Sequence, residues 1–270
     1  MPTRDYLRPA SIDEALAARA AKPEAAFIAG GTFLLSSDRP TAPRLYVDVG
    51  RLLGAKIERR GAELVLGAGA TFQDLVDAPA LPAALKAAAA TMANRNVRNR
   101  ATVGGNLGAG KSCSSLIPAL LALEARVVCA ERPDAAHLSL PLSSWLERPT
   151  GLVLEVIVPV EAGRRAAFAR WSRSACDLSV LTAAASYRLD GPGSIRGLAV
   201  AAGGLGPRAR RFPEIERLFE GGALPPRGEI EALVAPLLSP VDDHRGGAAF
   251  KRLRGASLVA DAILTAEEQA

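Results

Sequence analysis

The sequence of 270 residues predicts an α+β fold in two parts, about residues 1–163 and 164–270, with a further division of the first part near residue 54. Three observations carry this prediction. The opening alternates short apolar runs with one helical pattern, as a βαβ-like unit does. A polar, glycine-containing break falls at Val160-Glu161-Ala162-Gly163-Arg164-Arg165. Beyond it, strand-like runs come first and helical ones follow, the order typical of an antiparallel sheet with helices added to it.

Taken in order, Ser11-Ile12-Asp13-Glu14 reads as a capping box that starts a helix over Ile12 to Ala21, ended by Pro23. Phe27-Ile28-Ala29 and Leu45 to Val49 are short buried strands, the second closed by Gly50. Lys56 to Glu58 and Glu63 to Ala68 form a hairpin around Arg60-Gly61. Thr71 caps the next helix with Asp74 in its first turn. The alanine-rich run Leu81 to Ala93 is helical. Leu116 to Ala125 is an apolar helix and Arg126 to Ala130 a strand. Leu140-Pro141-Leu142 lies in a connection, with Trp145 in the core. Gly151 to Pro159 is a long strand.

In the second part, Ala167 to Arg173, Asp177 to Leu189 and Ile195 to Ala202 read as strands, the last two joined by the turn Asp190-Gly191-Pro192-Gly193. Arg208, Arg210 and Arg211 form a basic cluster, by default a solvated face, ahead of a helix from Pro213 to Glu220. Helices over Arg227 to Ala235 and Gly247 to Ala266 close the chain. In the last, Phe250, Leu253, Leu258, Ala262 and Leu264 are the core candidates, and Lys251-Arg252 point outward.

Composition narrows the function. Hydrophobic residues make up 49% and aromatic ones 4%, so the core is aliphatic. The net charge of +5 arises from 33 basic and 28 acidic residues mixed along the chain, unlike the clustered charge of a nucleic-acid binder. No run of 18 apolar residues suggests a membrane span, and Met1 to Tyr6 lacks an apolar signal core. Cys113, Cys129 and Cys176 are odd in number and widely spaced, which argues against a disulfide framework or a Cys-x-x-Cys metal site and suits a reducing cytoplasm. With His137 and His244 the only histidines, neither a metal site nor a catalytic triad is expected. No catalytic nucleophile or paired carboxylate stands out, so the reactivity should come from a cofactor.

Two glycine stretches are the candidate site: Phe27-Ile28-Ala29-Gly30-Gly31-Thr32, and Val97 to Asn106, which contains Thr102-Val103-Gly104-Gly105-Asn106. Glycine permits positive φ and close approach to a ligand. Successive amides in such turns form a nest for phosphate oxygens, and the side chains of Thr32, Thr102 and Asn106 add donors. Both loops are expected to hold one diphosphate-containing ligand. Arg98 and Arg100 are expected first to pin the second loop through carbonyls. Gly67-Ala68-Gly69 lacks the third glycine and the downstream acid of a dinucleotide fingerprint. Gly105 to Ser112 matches G-x-x-x-x-G-K-S, so a P-loop stays open as a rival. Against it stand Pro118 in the following helix and the absence of an apolar run ending in Asp.

Ala29-Gly30-Gly31-Thr32 and Arg98-Asn99-Arg100-Ala101-Thr102-Val103-Gly104-Gly105-Asn106 resemble the two flavin-binding loops of the FAD-binding medium subunit of the molybdenum hydroxylases, the carbon monoxide dehydrogenase and xanthine dehydrogenase family. The likeness extends to Tyr6, Pro9, Ser11, Glu14 and Ala15, to Leu120 to Ala125, and to Asp243, Phe250, Lys251, Arg252 and Leu258. It implies an oxidoreductase subunit with an FAD-binding domain over 1–163 and a C-terminal domain over 164–270. Molybdopterin and two [2Fe-2S] clusters would reside on a large and a small partner subunit. Electrons would pass from those clusters through FAD to NAD, oxygen or another acceptor.

The cofactor-binding residues implied are Ile28, Ala29, Gly30, Gly31, Thr32, Phe33, Thr102, Gly104, Gly105, Asn106 and Ser115. Asp177-Leu178-Ser179 match the family's segment near the flavin, where Arg170 and Arg173 would supply positive charge. The chain departs from the family at Ser115, usually acidic and directed at FAD hydroxyls, and at Phe33, usually polar. These departures keep open a flavin-free scaffold subunit as an alternative.

Overall fold

The computed structural model describes residues 5–36, 43–190 and 193–268. In chain order the elements begin with β1 (Asp5–Leu7), α1 (Ile12–Ala21), β2 (Ala26–Ile28), β3 (Leu45–Asp48), β4 (Ile57–Arg60) and β5 (Glu63–Gly67). Helices α2 (Phe72–Asp77), α3 (Ala83–Ala90), α4 (Arg95–Arg98), α5 (Val103–Ala109) and α6 (Leu116–Ala122) follow. Next come β6 (Arg126–Ala130), β7 (Leu138–Pro141), α7 (Leu142–Glu147), β8 (Leu152–Pro159), β9 (Arg165–Trp171), β10 (Leu181–Asp190), β11 (Ser194–Gly203) and β12 (Arg210–Arg211). The chain ends with α8 (Pro213–Phe219), α9 (Arg227–Val234), a 3-10 turn at Ala235–Leu237 and α10 (Ala248–Glu268). The class is α+β, with antiparallel sheets as the sequence implies. No helix among the described residues is long and apolar enough to cross a membrane.

The chain divides into two compact units that interleave in sequence. The first comprises Met1–Leu75, Asn94–Ala109 and Arg126–Val158; the second comprises Val76–Ala93, Gly110–Ala125 and Pro159–Ala270.

The first unit opens on a parallel three-stranded sheet in the order β1-β3-β2. Central β3 carries Leu45, Tyr46 and Val47, all buried, and α1 lays Ala15 and Leu16 into one apolar cluster with Leu45 and Val47. The expected cap starts α1: Ser11 Oγ accepts from the Glu14 amide at 3.1 Å. Glu14 Oε2 reaches back one residue further than a standard capping box, to the Ala10 amide at 2.6 Å. A second, five-stranded sheet runs β4-β5-β8-β6-β7. Edge strand β7 and helix α7 lie where the sequence suggested only a connection. Both are short, and β7 alternates too weakly to register as a strand. Trp145 on α7 is 2% exposed, and its Nε1 donates to Thr150 O at 3.0 Å.

The second unit is built on the antiparallel sheet β12-β11-β10-β9. Ala183, Ala185, Val200 and Ala202 share a core with Val259, Ala262 and Ile263 of α10. Small side chains on β10 and β11 let that long helix lie close. Strand β10 begins at Leu181, so the expected strand residues Asp177 to Val180 form a loop instead. The turn expected at Asp190 to Gly193 includes residues 191 and 192, which lie outside the described residues. Polar groups in this core are partnered. Thr182 Oγ1 donates to Ser114 O at 3.2 Å, and Ser186 Oγ donates to Ala122 O at 2.5 Å while accepting from Arg164 Nε at 3.0 Å.

Tyr187, fully buried, donates its hydroxyl to Ile263 O at 2.9 Å. Burial, with the nearby Glu267 charge, raises its phenol above the ordinary range, so it stays protonated at any working pH. Tyr187→Phe removes that bond without changing the shape of the core. A loss of about 1 kcal/mol in chemical denaturation is expected.

Three expectations for this unit are corrected. Strand β12 holds Arg210 and Arg211; Arg210 is exposed as expected but ion-paired, and Arg211 is half-buried. Arg210 pairs with Glu214 at 3.0 Å, and Arg211 pairs with Glu216 and Glu124, each at 2.9 Å. Glu124 sits at φ +55° and also receives Arg164 at 3.2 Å. On α10, Leu258 and Ala262 are buried as expected, but Phe250 and Leu253 are 40% and 69% exposed. Lys251, expected to point outward, is 1% exposed. Its ammonium donates to Asp243 at 2.7 Å and to Val241 O at 3.1 Å. With its charge neutralised there, the lysine stem packs where the pattern suggested phenylalanine. Phe250 meets Trp171 edge-on, with ring centroids 4.9 Å apart.

Candidate functional site

Both glycine stretches lie in the first unit, and one residue locks them together. The chain leaves β2 at Ile28, enters Ala29-Gly30-Gly31-Thr32 at the carboxyl end of a parallel strand, and turns through Phe33 to Ser36. Ligand crevices form at such strand ends. Gly31 has φ +75°, a conformation suited to glycine. Gly30 is glycine for a different reason. A Cβ on it would stand 1.7 Å from the carbonyl oxygen of Arg100. The guanidinium of Arg100 in turn donates from Nε and Nη2 to Gly30 O, each at 3.4 Å. Arg98 Nε donates to Gln73 Oε1 at 3.1 Å. Both arginines therefore hold protein groups in place.

The first stretch keeps its donors. Among the described residues, the amides of Ala29, Gly30, Gly31 and Thr32 donate to no protein acceptor. Thr32 is exposed, and Phe33 is half-buried. Four successive unsatisfied amides around a positive-φ glycine suit an anion, and a diphosphate in particular.

The second stretch is not the open loop expected. Asn94 caps α4 by accepting from the Val97 amide at 3.0 Å. Helix α5 then starts at Val103, so Gly104 and Gly105 lie in its first turn with ordinary helical backbone. The Val103 amide donates to Ala70 O at 2.9 Å and the Gly104 amide to Ala68 O at 2.8 Å. Thr102 Oγ1 accepts from the Gly105 amide at 3.1 Å, and Thr102 O accepts from the Asn106 amide at 2.9 Å. Its amides are thus used inside the fold, so this stretch forms no second nest. Its glycines serve close packing: a Cβ on Gly104 would come within 2.9 Å of Ala68 Cβ. Gly105 faces outward; a Cβ there would meet only Thr102 Oγ1, at 2.8 Å.

The same helix removes the P-loop rival. That motif needs an open backbone loop between its first glycine and the Gly-Lys, and a helix beginning at the lysine. Here Gly105 to Ala109 is helical, Gly110 ends the helix at φ +54°, and α6 does not start until Leu116.

Ser115 lies in the second unit, 5% exposed at the start of α6, where its hydroxyl and that of Thr91 hydrogen-bond at 3.1 Å. Also in that unit, Arg170 is spent on backbone and on one hydroxyl. It donates to Thr91 O and Ala175 O at 3.1 Å, to Asp177 O, and to Ser179 Oγ at 2.9 Å. Arg173 pairs with Asp177 at 2.8 Å, and that contact, with the Leu178 amide, holds the Asp177 carboxyl below its usual range.

One brace has almost no signature in the sequence. Asp48, at the end of β3, accepts from the Tyr6 hydroxyl at 2.5 Å and from the Gly50 amide at 3.0 Å, and Gly50 lies against Ala29. Its only signal is an acidic residue at the end of an apolar run before glycine. Among the described residues no cluster of metal-ligating side chains occurs, and the three cysteines are free.

Residues 2–161 match the family model described as the FAD binding domain in molybdopterin dehydrogenase, and residues 166–266 match that of the CO dehydrogenase flavoprotein C-terminal domain. Uncharacterized protein YgfM of Escherichia coli (strain K12) is 32% identical over 258 residues, covering 95% of this chain and 93% of the relative. The 6-hydroxypseudooxynicotine dehydrogenase complex subunit alpha of Paenarthrobacter nicotinovorans is 30% identical over 267 residues, covering 93% and 90%. Among solved structures, a chain of carbon monoxide dehydrogenase from Hydrogenophaga pseudoflava, in a form lacking the Mo-pyranopterin moiety, superposes with a TM-score of 0.89. It is 27% identical, with 100% of both chains covered.

Proposed function

Since the chain belongs to the FAD-binding medium subunits of the molybdenum hydroxylase family, we propose that it is the flavin-bearing electron-transfer subunit of a molybdopterin-dependent dehydrogenase, with the FAD diphosphate seated on the amides of Ala29 to Thr32. It is an oxidoreductase subunit, and its FAD-binding domain fits the cofactor at that loop. The unsatisfied amides there are the observation that carries the assignment. When bound, FAD supplies a carrier between one-electron iron–sulfur partners and a final acceptor such as NAD or oxygen.

In this reading the Thr32 hydroxyl adds a donor beside the amides, and Ile28 fixes the strand end from which the loop departs. Thr102 holds the first turn of α5 by its cap, so that the outward side of Gly105 presents a wall free of side chains to the diphosphate, while Gly104 lets the helix pack closely on Ala68. Asn106 follows on the same turn. Phe33 borders the loop with an apolar ring in place of a polar group. The partners are a large molybdopterin subunit and a small [2Fe-2S] subunit, assembled in the cytoplasm.

The first test is the absorption spectrum of the purified chain, followed by release of the chromophore on heating. About one FAD per chain is expected. A colourless protein that also refuses added FAD would favour the scaffold alternative. Gly105→Val adds bulk on the outward side of α5 and strains only the Thr102 cap, a change worth about 1 kcal/mol or less. It is expected to melt within a few degrees of the parent while losing most of its flavin. Full flavin content in that variant would remove this wall from the site.

A further inference from the structure

We propose that Arg100 is a positioning residue for the diphosphate loop: it sets the Gly30–Gly31 peptide so that the Gly31 amide faces the ligand, and its charge is not itself the phosphate contact. This inference rests on the FAD reading above and assigns a role within it.

The hold on Gly30 is double. A Cβ on it would stand 1.7 Å from the Arg100 carbonyl oxygen, so any side chain at Gly30 would collide with that group. That carbonyl is itself fixed, since the amides of Arg100 and Ala101 both donate to Val97 O, at 3.0 and 2.8 Å, in the last turn of α4. From the other side, Nε and Nη2 of Arg100 converge on Gly30 O. In a trans peptide the carbonyl and the following N–H point in opposite directions, and the described residues contain no cis bond. Drawing Gly30 O toward Arg100 therefore turns the Gly31 N–H away from it. That N–H meets no protein acceptor among the described residues. A loop with two adjacent glycines has many unbound conformations. A clamp on the peptide between them removes much of that freedom before a ligand arrives, and such preorganisation appears as affinity.

Two substitutions separate positioning from charge. Glutamine carries an N–H at the place of arginine Nε but no charge. Lysine keeps the charge but has a methylene there. Titrations of the flavin-stripped chain with FAD, and with riboflavin as the probe lacking diphosphate, give the readout by fluorescence. Arg100→Ala is expected to weaken FAD about tenfold and leave riboflavin unchanged. Arg100→Gln should stay within about threefold of the parent, and Arg100→Lys should bind more weakly than Arg100→Gln. The reverse order, with lysine rescuing and glutamine failing, overturns the proposal in favour of a direct charge contact. Unchanged FAD affinity in Arg100→Ala overturns it as well. A parent chain that takes up no FAD overturns the FAD reading and this role with it. Arg100 is exposed, so these variants should fold, and a thermal melt of each checks that they do.

Discussion

Gly30→Ala is expected to abolish flavin retention and to cost about 3 kcal/mol of stability, an upper-range value for overpacking. The size follows from what the new methyl group meets. At 1.7 Å from the Arg100 carbonyl oxygen there is no rotamer to adjust, because a Cβ is placed by its own backbone and the oxygen it meets is backbone too. Either the loop leaves Arg100, dispersing the four amides, or the last turn of α4 unwinds. A melting temperature lowered by several degrees, together with a colourless protein, is the expected result. A flavin-replete Gly30→Ala with the parent's melting temperature would show that the two stretches do not meet as described. Gly31→Ala should be milder for stability. Its penalty is a positive φ, about 1 kcal/mol for a residue with a Cβ, and its nearest neighbour is the flexible end of Leu35.

The second large effect lies far from the glycine loop in sequence, at Lys251. Asp243→Ala is expected to destabilise the protein by about 3 kcal/mol, because it leaves a buried ammonium with a single carbonyl partner. Lys251→Met should cost much less, since the stem is replaced by an apolar side chain of similar length and the half-exposed Asp243 returns to water. Denaturant titrations of the two variants should therefore differ by a wide margin; equal losses would contradict the burial of Lys251. The pair also predicts a pH dependence. Desolvation pushes the Asp243 carboxyl up, but the bonds from Lys251 and from the Arg245 and Gly246 amides outweigh it, and the net shift is downward. A carboxyl lowered in the folded state stabilises at pH above its unfolded value, about 3.9, and loses that contribution as the pH falls through the folded value. The parent should thus lose stability more steeply than Asp243→Ala as the pH falls below the unfolded value.

The elements that were legible in sequence are those with local signals. Helix α1 has its serine cap and proline stop, α2 its reciprocal Thr71 and Asp74 pair with bonds of 2.8 to 3.1 Å, and the β4–β5 turn its Gly61. The candidate site was legible as two glycine stretches, and the structural use of Arg98 and Arg100 was also anticipated. Three things had no local signal. Val103 to Ala109 contains three glycines, so propensity argues against a helix there; the Thr102 cap and the carbonyls of Ala68 and Ala70 form it anyway. The reason Gly30 must be glycine is a carbonyl 70 residues away. Lys251 is buried because Asp243 folds back over it, whereas amphipathic periodicity treats every lysine as solvated.

The interleaving of the two units bears on the order in which a growing chain can complete them. The apolar faces of α3 and α6 are made before residue 125, and α6 is buried throughout its length, yet both helices belong with strands that follow Pro159. They must wait through the synthesis of β6 to β8 with the faces that meet the later strands uncovered. The unit that receives them closes last, because α10, at the far end of the chain, completes its core. A nascent chain of this protein therefore carries a greasy helix in an unfinished state for most of its translation, the kind of segment that attracts chaperones. It also follows that truncation from the C-terminus damages more than the last domain, since it strips the cover from helices laid down in the first half.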